Sequence, residues 1–143
     1  MTRETLYNLA PTLIALQFFA FGWRVNREIH AAEDERQGVI PLPDVINIMS
    51  LCATVGCAIV LAIAKESYFW LSRMVVSVAY VLIAFHPLAI AAHYRLWKRD
   101  GARRQARNAV SPHYVNREEL AVSLLSVLVA ALVAAYLGMH VDG

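Results

Sequence analysis

Four stretches of this chain, Thr5–Trp23, Val45–Ala64, Met74–Tyr94 and Leu120–Val141, contain no Asp, Glu, Lys or Arg. At 19, 20, 21 and 22 residues, and about 1.5 Å of helical rise per residue, each is long enough to cover the roughly 30 Å hydrocarbon core of a bilayer. A helix also satisfies its own backbone amides, which lipid demands. Barrel strands alternate over about ten residues, so these continuous runs exclude a β-barrel. With 59% hydrophobic and only 17% charged residues, the chain departs from soluble domains, where about 25% are charged. The connecting segments leave no block of about 50 residues for a separate soluble domain. The expectation is an all-α integral membrane four-helix bundle, one domain over residues 1–143. The first run exceeds a typical signal-peptide core, and Arg24 and Arg27 follow it where only Arg3 precedes it; it is read as retained.

The net charge of +2 conceals an asymmetry. The segments 24–43 and 95–119 hold Arg24, Arg27, Arg36, Arg95, Lys98, Arg99, Arg103, Arg104, Arg107 and Arg117, whereas the other side holds Arg3, Lys65 and Arg73. The positive-inside rule places both basic loops in the cytoplasm and both termini on the non-cytoplasmic side. Trp23, Trp70, Trp97, Tyr68 and Tyr94 fall at span ends, as interfacial aromatics do. Eleven Arg against two Lys points to a GC-rich bacterial source and an inner membrane.

The chain reads as two antiparallel helical hairpins. The first helix extends beyond its span towards Gly38, with Arg24 and Glu28 four apart as an intrahelical pair. Pro41-Leu42-Pro43-Asp44 starts the second span, and Asn116 with Glu119 has capping-box spacing at the start of the fourth. The short turn around Lys65 and Glu66 makes spans two and three antiparallel neighbours. Trp23-Arg24-Val25 resembles Tyr94-Arg95-Leu96, and each is followed by a loop and a helix beginning with an acid, a faint repeat that interfacial aromatics and basic loops also produce by themselves.

His86-Pro87 and His93 are the first candidates for chemistry, because an ionisable group within a bilayer is costly. Pro87 removes one helical hydrogen bond and frees a carbonyl near Ile83. The histidines are seven residues apart, on one helical face and about 10 Å apart along the axis, which suits a proton relay or stacked haem ligands. His30, His113 and His140 are poorly placed to face them, so no cofactor is expected. The plainer readings are a neutral His86 bonded to another helix and a His93 facing headgroups beside Tyr94 and Arg95.

Cys52 and Cys57 stand five apart, on different helical faces, which suits neither a disulfide nor a redox dithiol. They read as small, buried packing residues, and no metal site is expected. Cys52 with Gly56, and Ala130, Ala134 and Gly138, form small-residue stripes that bring helices together or join protomers. Asn47, Ser50 and Thr54 share one face and read as bonding to a neighbouring helix rather than lining water. The run Arg95, Lys98, Arg99, Arg103, Arg104 and Arg107 reads as a topology anchor on anionic lipid headgroups. Its thin aromatic content gives no expectation of nucleic acid.

No phosphate-binding loop, H-E-x-x-H or G-x-S-x-G motif is present, and no span contains a carboxylate of the kind an ion-coupled carrier uses. The favoured reading is a small non-enzymatic membrane protein acting through helix assembly. It is an oligomeric membrane-perturbing or pore-like protein, or an accessory subunit of a larger complex. One alternative is a redox or transport component using His86 and the Pro87 kink for a haem, quinone or proton path. Another is a membrane-tethered sensor binding an anion through the 95–107 loop.

Overall fold

The computed structural model describes residues 3–33, 40–63, 68–94 and 115–140, with side chains over 4–26, 40–57, 68–94 and 115–140. Four helices make up the described chain: α1 (Arg3–Glu33), α2 (Leu42–Ile63), α3 (Phe69–His93) and α4 (Arg117–Met139). No strand occurs among the described residues. Three helices contain stretches long and apolar enough to cross a membrane, Glu4–Asn26, Phe69–His93 and Arg117–Met139; in α2 the apolar stretch described is Leu42–Cys57. Three such helices point to a membrane protein.

Each expected span starts two to five residues after its helix does, α1 continues past Trp23 to Glu33, and the starts show why the two differ. Windows cut at charged residues begin the third span at Met74, yet α3 starts at Phe69 and carries Arg73 inside it. The Arg73 guanidinium reaches the far end of α4, where Nη2 donates to the carbonyls of Leu137 and His140, each at 3.4 Å. It occupies carbonyls that a helix C-terminus leaves open. Arg73→Ala frees these carbonyls, so hydrogen exchange at Gly138–His140 should accelerate while global stability falls by no more than about 1 kcal/mol.

Contacts between helices set the directions. Gln17 meets Ser50 while Arg24 meets Asp44, so α1 and α2 are antiparallel. His93 meets Glu119 while Arg73 meets Leu137, so α3 and α4 are antiparallel. Tyr80 donates to the Leu9 carbonyl and Arg24 to the Tyr94 hydroxyl, making α1 and α3 parallel. The two expected hairpins are therefore present, with α3 in the middle, packed most extensively on α4 and also on α2 and α1. α3 stays a single helix through Pro87, whose exposed ring points away from the bundle while His86 points in.

Every helix buries a stripe with alternating steps of three and four, the spacing of left-handed bundles. In α1 the stripe is Leu6, Ala10, Leu13, Gln17 and Arg24; in α3 it is Ser72, Val76, Ala79, His86, Ile90 and His93. α2 supplies Asp44, Asn47, Leu51 and Thr54, and α4 supplies Glu119, Ser123, Ser126 and Ala130. Polar side chains outnumber apolar ones among these buried residues, while Phe19, Met49, Leu124, Leu128, Leu132 and Met139 lie exposed. Water as solvent would drive the reverse distribution, whereas lipid leaves packing and interhelical hydrogen bonds to hold helices together.

The interior is divided along its length. Leu6, Ala10, Leu13, Val76 and Ala79 form an apolar cluster, flanked by Phe69, Tyr80 and Ile83, at the end where α1 and α3 begin. Towards the other end, where α2 and α4 begin, the stripes turn polar.

Of the two roles expected for the small-residue stripes, bringing the helices of one chain together is not what these faces show. Cys52 and Gly56 are exposed, as is Gly138, and a Cβ built on either glycine meets nothing within 4 Å. Cys57 and Ala134 are half-buried, and only Ala130 belongs to the seam, at 5% exposed. Successive steps of four advance about 40° each around a helix of 3.6 residues per turn, so such a stripe drifts off the interface. The stripe through Ser123 and Ser126 does not.

Candidate functional site: a buried acid and histidine cluster

Seven side chains from all four helices and the α4 cap meet at the polar end. Asp44, in the first turn of α2, is 3% exposed and accepts from two helices. Arg24 Nε of α1 donates to its Oδ2 at 2.8 Å, and His86 Nε2 of α3 lies 2.9 Å from its Oδ1. Arg24 continues to α3, where Nη1 donates to the Tyr94 hydroxyl at 2.6 Å and the guanidinium lies 5.5 Å from that ring's centre. A planar guanidinium has the donors to do both.

A second acid stands in the corresponding place on α4. Glu119, wholly buried, accepts from the backbone N–H of Leu42 at 3.0 Å through Oε1, and its Oε2 lies 2.8 Å from His93 Nδ1. Leu42 opens α2, so the acid of one hairpin satisfies a helix-start amide of the other. The expected capping box is present: Asn116 Oδ1 accepts from Glu119 N at 2.8 Å, and Glu119 Oε2 accepts from Asn116 N at 3.4 Å. The Asn116 amide also donates to the carbonyls of Ala92 and His93, joining the end of α3 to the start of α4. Both acids sit in first helical turns, where the helix dipole favours a negative charge. The His93 and Tyr94 rings meet edge to face at 4.8 Å, which brings the two halves of the cluster together.

Several expectations change here. His86 does bond to another helix, but its partner is an acid. His93 does not face headgroups: it is 3% exposed and engaged by Glu119. Arg24 turns inward to Asp44 and Tyr94, while the Glu28 side chain lies outside the described residues. The absence of a carboxylate from the spans loses its force, because Asp44 and Glu119 stand just outside windows cut at charged residues and still fold into the interior. The two imidazoles lie at different levels of α3, each against its own acid, and His140 is exposed at the far end of α4. Among the described residues no three His, Cys, Asp or Glu side chains converge as metal ligands.

Asn47, Ser50 and Thr54 do share a buried face. Gln17 Nε2 donates to Ser50 Oγ at 2.9 Å, Asn47 Nδ2 to the Gln17 carbonyl at 3.3 Å, and Thr54 Oγ1 to the Ser50 carbonyl of its own helix at 2.8 Å. Bonding to a neighbouring helix is thus observed for Asn47 and Ser50. Arg95, Lys98, Arg99, Arg103, Arg104 and Arg107 lie outside the described residues.

Asp44 and Glu119 were missed as partners because their first-turn positions explain them as helix starts. A usable signal was present in the polar residues seven apart on each helix: Gln17 and Arg24, Asn47 and Thr54, His86 and His93, Glu119 and Ser126. No family model matches the chain, and neither a curated protein nor a solved structure was found to match it.

Proposed function

We propose that the protein is a non-enzymatic integral membrane four-helix bundle that acts through helix assembly, as a homo-oligomer or as an accessory subunit of a larger complex in a bacterial inner membrane. Both termini lie on the non-cytoplasmic side, and the acid and histidine cluster faces the cytoplasm. The observation that carries this reading is the distribution of side chains. Arg24, Asp44, His86, His93 and Glu119 are engaged with one another inside, while the outer faces of α1 and α4 are apolar. A surface of this kind meets lipid or other helices.

Two measurements test it. A carboxyl-terminal alkaline phosphatase fusion should be active and the corresponding green fluorescent protein fusion dark; the opposite pattern overturns the orientation. The detergent-corrected mass should be a multiple of 15.9 kDa, or the chain should co-purify with a stoichiometric partner. A lone monomer from native membranes overturns the assembly role.

A transport role for His86 is the second reading, favoured by its contact with Asp44. The side chains of the apolar cluster around Leu13 and Val76 offer no donors or acceptors, and the Tyr80 hydroxyl flanking it is given to the Leu9 carbonyl, so no continuous polar path is seen beyond the cluster. Proteoliposomes under a potassium diffusion potential should therefore acidify no faster than protein-free vesicles. Proton flux that His86→Phe abolishes would put transport first.

A further inference from the structure

The polar half of the interior contains hydrogen-bonding capacity that the protein itself does not use. Gln17 and Asn47, on facing helices, are 0% and 3% exposed. Asn47 Nδ2 donates to the Gln17 backbone carbonyl at 3.3 Å, and a carbonyl only accepts, so this bond fixes the orientation of the Asn47 amide. Asn47 Oδ1 is therefore an acceptor. Neither it nor Gln17 Oε1 has a hydrogen-bond partner.

Among the described residues no neighbouring donor reaches either oxygen. Gln17 Nε2 is given to Ser50, the Thr54 hydroxyl to the Ser50 carbonyl, and Arg24 to Asp44 and Tyr94. Buried acceptors without a donor are rare in native interiors, and two from facing helices in one hydrogen-bonded cluster are rarer.

We propose that Gln17 and Asn47 together hold a small molecule that donates an O–H or N–H to each amide oxygen. Acceptor oxygens repel anions and give an apolar molecule nothing to bind. The helices touch through direct hydrogen bonds at this level, so the occupant is a few atoms at most. Water and ammonium have this chemistry. The site lies beside the Asp44 and His86 pair, since Asn47 is one turn along α2 from Asp44, and before the apolar cluster that begins at Leu13.

The test uses the full-length protein in lipid bilayers, with 15N in the Asn and Gln side chains and magnetisation transferred from water to the amides in solid-state NMR. Asn26, exposed beyond the first span, is the hydrated control. Asn116, 3% exposed with both its oxygen and its nitrogen bonded within the protein, is the dry control. Transfer to Gln17 and Asn47 at a level approaching that of Asn26, unchanged by ammonium chloride, identifies water as the occupant. A saturable shift of both amides on titration with ammonium chloride, absent with potassium chloride, identifies ammonium. Signals at Gln17 and Asn47 that behave like Asn116, with no ammonium shift, overturn the proposal.

Discussion

Replacing Asp44 by alanine should cost about 3 kcal/mol of unfolding free energy, read as a shift of the SDS-induced unfolding transition in mixed micelles. The cost comes from what remains. Arg24 is 2% exposed and would keep its charge with the carboxylate gone, and His86 would lose the acceptor beside Nε2. Removing one partner of a buried ion pair costs about 3–5 kcal/mol. The lower end applies because Arg24 lies near an end of the bundle, and a long side chain released there can extend towards water.

The paired change distinguishes a buried charge from a packing defect. Asp44→Leu combined with Arg24→Met removes both charges and fills similar volume, an exchange that is often neutral or stabilising. The double variant should recover at least about 2 kcal/mol of the loss in Asp44→Leu. A double variant as unstable as the single one would mean that the ion pair is not what Asp44 contributes.

Glu119→Ala should cost about as much, also about 3 kcal/mol, for a different reason. It strips acceptors from the Leu42 and Asn116 amides and from the His93 ring in one step, and each buried group left unpaired costs about 1–3 kcal/mol. Glu119→Gln keeps the shape and one carbonyl oxygen for Leu42 but turns an NH2 towards the Asn116 amide, so it should recover about 1 kcal/mol of that loss rather than all of it. Two variants with equal losses would mean that charge, rather than hydrogen-bond acceptance, holds this half of the cluster. Since the two acids meet through the start of α2 and the His93 and Tyr94 rings, Asp44→Ala and Glu119→Ala together should fall short of additivity by about 1 kcal/mol.

These losses measure how far the hairpins depend on each other. Asp44 receives Arg24 from its own hairpin and His86 from the other, while Glu119 receives His93 from its own and the Leu42 amide from the other. Neither hairpin alone satisfies its acid. In lipid, where association gains little from apolar burial, polar contacts of this kind specify which helices pair and in what register.

The sequence by itself determined the four helices, because uncharged apolar runs of about 20 residues have one stable backbone in lipid. It also implied that spans two and three run antiparallel, since the few residues around Lys65 and Glu66, which lie outside the described residues, leave no length for a crossover between the charge-free runs, and it determined the capping box at Asn116 and Glu119, because that motif is local. Only the tertiary structure decided which face of each helix turns inward. In water, apolar periodicity announces the buried face; here every face is apolar enough, and the seam is marked instead by scattered polar residues that different helices bring together. Gln17 and Ser50 are 33 residues apart, Asp44 and His86 42, and Leu42 and Glu119 77. The same reason exposes Cys52 and Gly138 and buries His93: spacing assigns a residue to a face, and only the neighbouring helices determine what that face meets.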